Sequence, residues 1–197
     1  MIISILLFDD AELLDWAGPV QVFSAASRFI DDDVDIRYYG YGSERIRSGN
    51  LNILCNGLWP HLSDLSPDMA IVPGGGGVEW IFTDKTRSTL QEISEAGSEI
   101  VSVCTGSLLL AHAGLLSGRS ATTHHENFEE LAKLAPDCNI ERGVRYTASP
   151  PVFTAGGVSA GIDLALSLVA RKWGSKSAQQ TAAFIEYPLH GTQQNAF

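Results

Sequence analysis

The sequence predicts an α/β fold, a mostly parallel sheet covered by helices on both faces. Short runs rich in β-branched and aliphatic residues alternate along the chain with segments of helical period, the pattern of strands buried on both sides and joined by crossover helices. The size fits one such unit: 197 residues with 45% hydrophobic content fill one sizeable core and are few for two, so residues 1–197 are read as a single domain. Charged residues make up 18% of the chain, and no segment is low-complexity or repetitive, which argues against a disordered tail or a solenoid.

Taken in order, the opening run Met1 to Phe8 lacks a basic flank and meets Asp9 and Asp10 too soon for a signal peptide or membrane span. It reads as a buried strand over Ile2–Phe8. A helix is expected from about Pro19 to Phe29, because proline suits the first helical position. The acidic Asp31, Asp32 and Asp33 read as a solvated turn rather than a metal site. Further strands are expected over Val34–Tyr41, Met69–Val72, Glu99–Val103, Arg119–Thr122 and Val152–Thr154. Helices are expected over Glu79–Ala96, Gly106–Leu115, Asn127–Leu134, Ala160–Lys172 and Ser175–Tyr187. The stretches Asn50–Leu58 and Ile140–Tyr146 read as antiparallel additions that make the sheet mixed.

A net charge of −10 opposes nucleic acid and anionic membranes as partners, since affinity for either comes from clustered lysine and arginine. Cys55, Cys104 and Cys138 form no CxxC pair and leave one thiol over in any disulfide scheme. A reducing cytoplasm suits them best.

In open α/β sheets the ligand sits outside the carboxyl ends of the strands. Three loops there carry chemistry: Asp9 to Pro19, Pro73 to Gly77, and Cys104 to Gly106. The last follows an apolar strand and opens a helix, Ile100-Val101-Ser102-Val103-Cys104-Thr105-Gly106-Ser107, with the geometry of a nucleophile elbow in which cysteine replaces serine. A thiol at a helix start also meets unpaired amides and the positive end of the macrodipole, which favour thiolate. The plainer reading of Cys104 is a small buried hydrophobe. Its place between Val103 and Thr105-Gly106 favours the nucleophile.

The run Gly74 to Gly77 leaves a strand, and the amides of Gly75 and Thr105 are candidates for an oxyanion hole. Neither GxxxxGK[ST] nor a GxGxxG in register with a helix is present, which argues against a phosphate loop; a plain turn is the other reading. Asp15 precedes Pro19 and is either an ordinary helix N-terminal acid or, if it reaches Cys104, a proton shuttle. Such a pair titrates jointly, with thiolate beside neutral acid or the reverse. No histidine follows Cys104 directly. Among His61, His112, His124, His125 and His190, only His124 ends a strand at the active edge, where it approaches the thiol or serves as a surface or interface residue. His112 reads as core or interface, and His61 and His190 lack supporting context. Trp16, Trp80 and Phe128 line an apolar pocket or belong to the core.

Several of these segments together resemble the ThiJ/PfpI superfamily, with its class I glutamine-amidotransferase-like fold. The resembling motifs run in order over nearly the whole chain: Leu14-Asp15-Trp16-Ala17-Gly18-Pro19, Val72-Pro73-Gly74-Gly75, Ser102-Val103-Cys104-Thr105-Gly106-Ser107, Ala121-Thr122-Thr123-His124 and Gly156-Gly157-Val158-Ser159-Ala160-Gly161-Ile162-Asp163. Within the superfamily the bacterial isonitrile hydratases carry similar motifs. The resemblance implies a flavodoxin-like sandwich, usually a homodimer, with Cys104 as nucleophile and Asp15 as its acidic partner. Gly75 and Thr105 then supply amides, and Gly74, Trp16 and His124 border the substrate. Thr105 stands where the protease-like branch carries histidine, which argues against peptidase activity. Trp16-Ala17 replaces an expected Leu-Thr, and His125 an expected aromatic. Related sensor domains occur fused to a helix-turn-helix module; no basic helical tail is seen before Phe197, so nucleic acid is not expected as a partner.

These implications lead first to hydration of an isonitrile to an N-substituted formamide, a hydro-lyase reaction without metal or organic cofactor. A glyoxalase- or deglycase-like enzyme acting on reactive aldehydes such as methylglyoxal would use the same residues. A redox or metabolite sensor, in which Cys104 oxidises reversibly, needs no turnover. A binding protein that kept the fold and lost the chemistry is the plainest alternative.

Overall fold

The computed structural model describes residues 1–59 and 66–189; His61 and His190 lie outside the described residues. In chain order the elements are β1 (Ile2–Leu7), α1 (Leu13–Ala26), β2 (Asp35–Gly40), β3 (Arg45–Ser48), β4 (Leu51–Leu54), β5 (Gly57–Leu58), β6 (Met69–Val72), α2 (Asp84–Glu95), β7 (Glu99–Val103), α3 (Gly106–His112), β8 (Ser120–Ala121), α4 (Phe128–Leu134), β9 (Asn139–Ile140), β10 (Tyr146–Ser149), β11 (Val152–Ala155), α5 (Ala160–Trp173) and α6 (Ser175–Phe184). Seven strands form one sheet in the order β10-β11-β7-β6-β1-β2-β5. All neighbours pair in parallel except β10 and β11.

Strand period divides the core into two layers. Along β1, Ile3, Ile5 and Leu7 enter one layer with Val22 and Phe23 of α1, Leu164 and Val169 of α5 and Ala178 of α6. Leu6 and the following Phe8 enter the other, with Leu90 of α2, Leu108 to Leu110 of α3 and Leu131 of α4. The same division holds in β6, where Met69 and Ile71 face the first layer and Ala70 and Val72 the second. Continuous apolar runs therefore mark strands covered on both faces, and helices lie on both sides of this mostly parallel sheet.

Several expected boundaries change. Helix α1 starts at Leu13, six residues before Pro19, which sits inside it. The start is set by the neighbouring loop: the Glu12 amide donates to the Gly74 carbonyl at 2.8 Å and Ala11 bridges to Gly75. Pro19 has no N–H to give the carbonyl of Asp15, four residues earlier, so the helix tolerates a missing bond rather than beginning there. The expected helix Glu79–Ala96 is a short 3-10 turn, Val78–Ile81, followed by α2. Thr83 separates them, its hydroxyl accepting the Thr86 amide at 3.2 Å as an N-cap.

Of the two antiparallel additions, Asn50–Leu58 divides. Its β4 pairs with β3 in a separate hairpin, and its β5 joins the sheet in parallel. Of the expected Ile140–Tyr146, Ile140 ends β9, which pairs with β8 in parallel, residues 141–145 form no strand, and only Tyr146 enters β10, whose antiparallel pairing with β11 makes the sheet mixed. The expected strand Arg119–Thr122 shortens to β8, which pairs with β9 in a separate two-stranded sheet packed against β10. No helix among the described residues is long and apolar enough to cross a membrane.

Candidate active site

Cys104 follows β7 directly, and its backbone lies at φ +58°, a left-handed conformation rarely taken by non-glycine residues. Its amide donates to the carbonyls of Ala155 and Gly156 at 3.0 Å each, fastening the bend to the end of β11. The Ser107 and Thr123 hydroxyls both donate to its carbonyl at 3.1 Å. The bend works only without side chains beneath it. A Cβ on Gly106 would lie 2.2 Å from the Val72 carbonyl, and a Cβ on Gly74 would lie 2.5 Å from both the Thr105 amide nitrogen and Oγ1 and 3.0 Å from Asp15 Oδ2. Three loops thus converge within van der Waals contact: the start of α1, the end of β6 and the elbow.

Asp15, in the first turn of α1, is fully buried. Its Oδ2 accepts the Gly74 amide at 2.9 Å, its Oδ1 has no hydrogen-bond partner among the described residues, and the Cys104 thiol lies beside the carboxyl. Burial pushes the carboxyl up to about 7, against the Gly74 amide, which favours the charged form, and with a smaller push from Glu12. Burial, and then the negative charge of Asp15, push the Cys104 thiol up to about 12; the amides of Thr105 and Val158, which donate to the sulfur, pull the other way. The resting pair is therefore a protonated thiol beside a carboxylate. The α3 helix spans only seven residues, and its amide pull does not overcome burial beside an anion. Between about pH 7 and about pH 12 the pair holds one proton that belongs to both groups.

The Gly75 amide donates to Thr105 Oγ1 at 2.9 Å. A substrate oxygen or nitrogen would compete with that hydroxyl for it, while the Thr105 and Val158 amides already point at the sulfur. Trp16 lies in the core layer of α1; its indole N–H donates to Ser48 Oγ at 3.1 Å, and its ring meets Tyr38 edge-on at 6.0 Å. Trp80 is 84% exposed. His124 accepts the Glu126 amide at 3.4 Å and leans on His125, ring centroids 4.3 Å apart. With Phe128, Arg142, Arg145 and Val158 it lines a cleft of about 650 Å³. His112 is held by the Thr83 carbonyl at 3.2 Å and stacks on Phe82.

Among the described residues, no group of three or more His, Cys, Asp and Glu side chains is arranged to hold a metal ion. The one donor to the sulfur that sequence reasoning missed is the Val158 amide. The Gly156-Gly157 pair between a strand and a helix, at the same sheet edge as the other two loops, was the available signal.

The sequence model of the DJ-1/PfpI family matches residues 1–171. Over 121 residues, 61% of this chain and 52% of the other, the chain is 39% identical to the isonitrile hydratase of Pseudomonas putida. It is 30% identical over 112 residues to the HTH-type transcriptional regulator GlxA of Rhizobium meliloti, covering 57% of this chain and 34% of that protein. The matches thus span about half the length of the hydratase and a third of the regulator. A solved structure of a ThiJ/PfpI family protein from Pseudomonas syringae superposes with a TM-score of 0.83 at 25% identity, over 97% of this chain and 76% of that one. With the cysteine elbow, the glycine loop and the buried acid occupying the edge of a seven-stranded sheet, and a family match that reaches from the first strand into the penultimate helix, this chain belongs to the DJ-1/PfpI family.

Proposed function

We propose that this chain is a cysteine-dependent enzyme that hydrates an isonitrile, R–NC, to the formamide R–NH–CHO. The observation that carries the reading is the Asp15–Cys104 pair, a buried acid near neutrality packed at the elbow beside a thiol whose sulfur also faces two amides. An isonitrile needs both a nucleophile and a proton at its terminal carbon, and this pair supplies them without net charge change. As the sulfur bonds to that carbon, the thiol proton passes to Asp15 and from there to the same carbon, giving the thioimidate R–N=CH–S. Water then adds to the carbon while Asp15 relays its proton to the nitrogen. Collapse breaks the carbon–sulfur bond, the hydroxyl proton returns through Asp15 to the sulfur, and the formamide leaves. The Thr105 and Val158 amides stabilise the sulfur as it leaves. The 39% identity to the Pseudomonas putida isonitrile hydratase supports this substrate class. Purified protein mixed with cyclohexyl isonitrile should yield the formamide by mass spectrometry, with turnover lost in Cys104→Ala and Asp15→Asn; turnover retained by Cys104→Ala sinks the mechanism.

The relationship to the regulator GlxA favours a second reading, a sensor in which Cys104 reports peroxide or a metabolite. Two equivalents of peroxide would convert the thiol to a sulfinate with release of two waters. Mass gain confined to Cys104, with no turnover of isonitriles and no lactate formed from methylglyoxal, would select the sensor over both enzyme readings.

A further inference from the structure

Arg145 precedes β10 and touches the turn beside Cys104 at both of its ends. Its carbonyl accepts the Gly156 amide at 2.9 Å, and the Gly156 carbonyl accepts the Cys104 amide at 3.0 Å. Its guanidinium reaches the start of α5, where Nη2 donates to Ser159 Oγ at 3.0 Å and Nε to Asp163 Oδ2 at 2.8 Å, with Nη2 on the same carboxylate oxygen. The Tyr187 hydroxyl donates to that oxygen at 3.1 Å. The intervening Val158 lies at φ +41°, where a β-branched residue is strained and persists only if its surroundings hold it. Arg145 and Asp163 are mostly buried, their side chains 17% and 7% exposed. Dehydration offsets much of the attraction within such a pair, so what it supplies is the geometry it fixes.

We propose that Arg145 is a positioning residue for the reactive thiol: by gripping Gly156, Ser159 and Asp163 it holds the turn whose Gly156 carbonyl accepts the Cys104 amide and whose Val158 amide faces the sulfur. The inference rests on the reading of Cys104 as the reactive group and adds the device that fixes one of its two amide donors. Arginine suits the task because its planar fork reaches two acceptors at once, whereas a lysine ammonium at the same position keeps the charge without the span. The ionisable side chain facing the sulfur from the other side is Asp15 of α1, and it is left untouched.

The test is alkylation of Cys104 by iodoacetamide in the full chain, followed by mass spectrometry of the peptide that carries it, from about pH 6 to about pH 10. Arg145→Lys is expected to slow alkylation about tenfold, as a thiol pKa higher by about one unit would, and to displace the whole profile to higher pH. Ser159→Ala, which removes one arm without stranding a buried charge, should shift it the same way by less. Arg142→Met removes a cation from the same cleft without touching the turn and should leave the profile in place. The proposal is overturned if folded Arg145→Lys and Ser159→Ala follow the unaltered profile, if they move to lower pH, or if Arg142→Met moves as far. Should Arg145→Lys fail to fold, Ser159→Ala decides alone. Alkylation needs no isonitrile, so absence of hydratase turnover leaves this result readable, and turnover with an unshifted profile removes only the role of Arg145.

Discussion

At the scale of single residues, Asp15 ties the proposed chemistry to stability. Its carboxyl sits near 7 in the fold against an ordinary value of 3.8, so between those values the native state holds a proton that the unfolded chain has released. Stability therefore falls as pH rises through that window, and the cost is complete above about 7; a gap of three units is worth roughly 4 kcal/mol at most. Asp15→Asn keeps an acceptor for the Gly74 amide and removes the charge. It is expected to raise the melting temperature at about pH 8 by several degrees and to change it little at about pH 4, by calorimetry; equal destabilisation at both would show that the carboxylate is not the burdened form. On the proposed mechanism the same titration sets activity. Below about 7 both groups are protonated and no base takes the thiol proton, so kcat/KM should fall on the acid side with a midpoint near the Asp15 value. Cys104 itself carries backbone strain at φ +58°. Cys104→Gly should consequently exceed Cys104→Ala in stability by about 0.5–1 kcal/mol in urea unfolding, the reverse of the usual order for a buried position.

At the scale of elements, the glycine run after β6 separates what was legible from what was not. Four consecutive glycines at the carboxyl edge of a parallel sheet announce a loop whose backbone something must approach, and the elbow cysteine is legible for the same reason. Which glycine bears the requirement is not, because the clash partners arrive from α1 and the elbow, far away in sequence. A Cβ on Gly74 would strike Thr105 at 2.5 Å, whereas one on Gly76 would meet nothing within 4 Å. Gly74→Ala is thus expected to lower kcat about a hundredfold or more by pushing the acid and the elbow apart, since misplacement by about 1 Å costs that much. Gly76→Ala should be near neutral in the same formamide assay; equal losses would mean that the loop acts through flexibility instead. Boundaries failed by the same logic. Pro19 and the continuous pattern over Glu79–Ala96 are local signals, but the start of α1 is decided by bonds to Gly74 and Gly75 and that of α2 by the Thr83 hydroxyl. Arg145 was silent for want of any local signal: a lone arginine before an edge strand reads as surface until α5 folds over it.

At the scale of the whole molecule, the central strands join the two core layers, because successive residues of β1 face opposite sides. Removing Ile5 weakens the layer of α1, α5 and α6; removing Leu6 weakens that of α2, α3 and α4. Each is fully buried, so Ile5→Ala and Leu6→Ala should each cost about 2–5 kcal/mol. If the sheet makes residues 1–197 one cooperative unit, both substitutions must lower one shared transition rather than loosen one face. Indole reporters are built in: Trp16 lies in the first layer and Trp59 in the second. In variants whose single remaining tryptophan is Trp16 or Trp59, with Trp80 and Trp173 also replaced by Phe, the urea midpoints read by Trp16 and Trp59 fluorescence should coincide with each other and with far-ultraviolet circular dichroism, and should move together on either core substitution. The active site gives a reason for that coupling. Asp15 comes from a helix of the first layer, whereas Gly74 and Thr105 flank strands whose side chains fill both layers, so a fold in which one face opened alone would release the acid from the thiol. Separate midpoints for the two tryptophans would therefore refute the single unit and predict a population in which Cys104 is alkylated while the second layer stays folded.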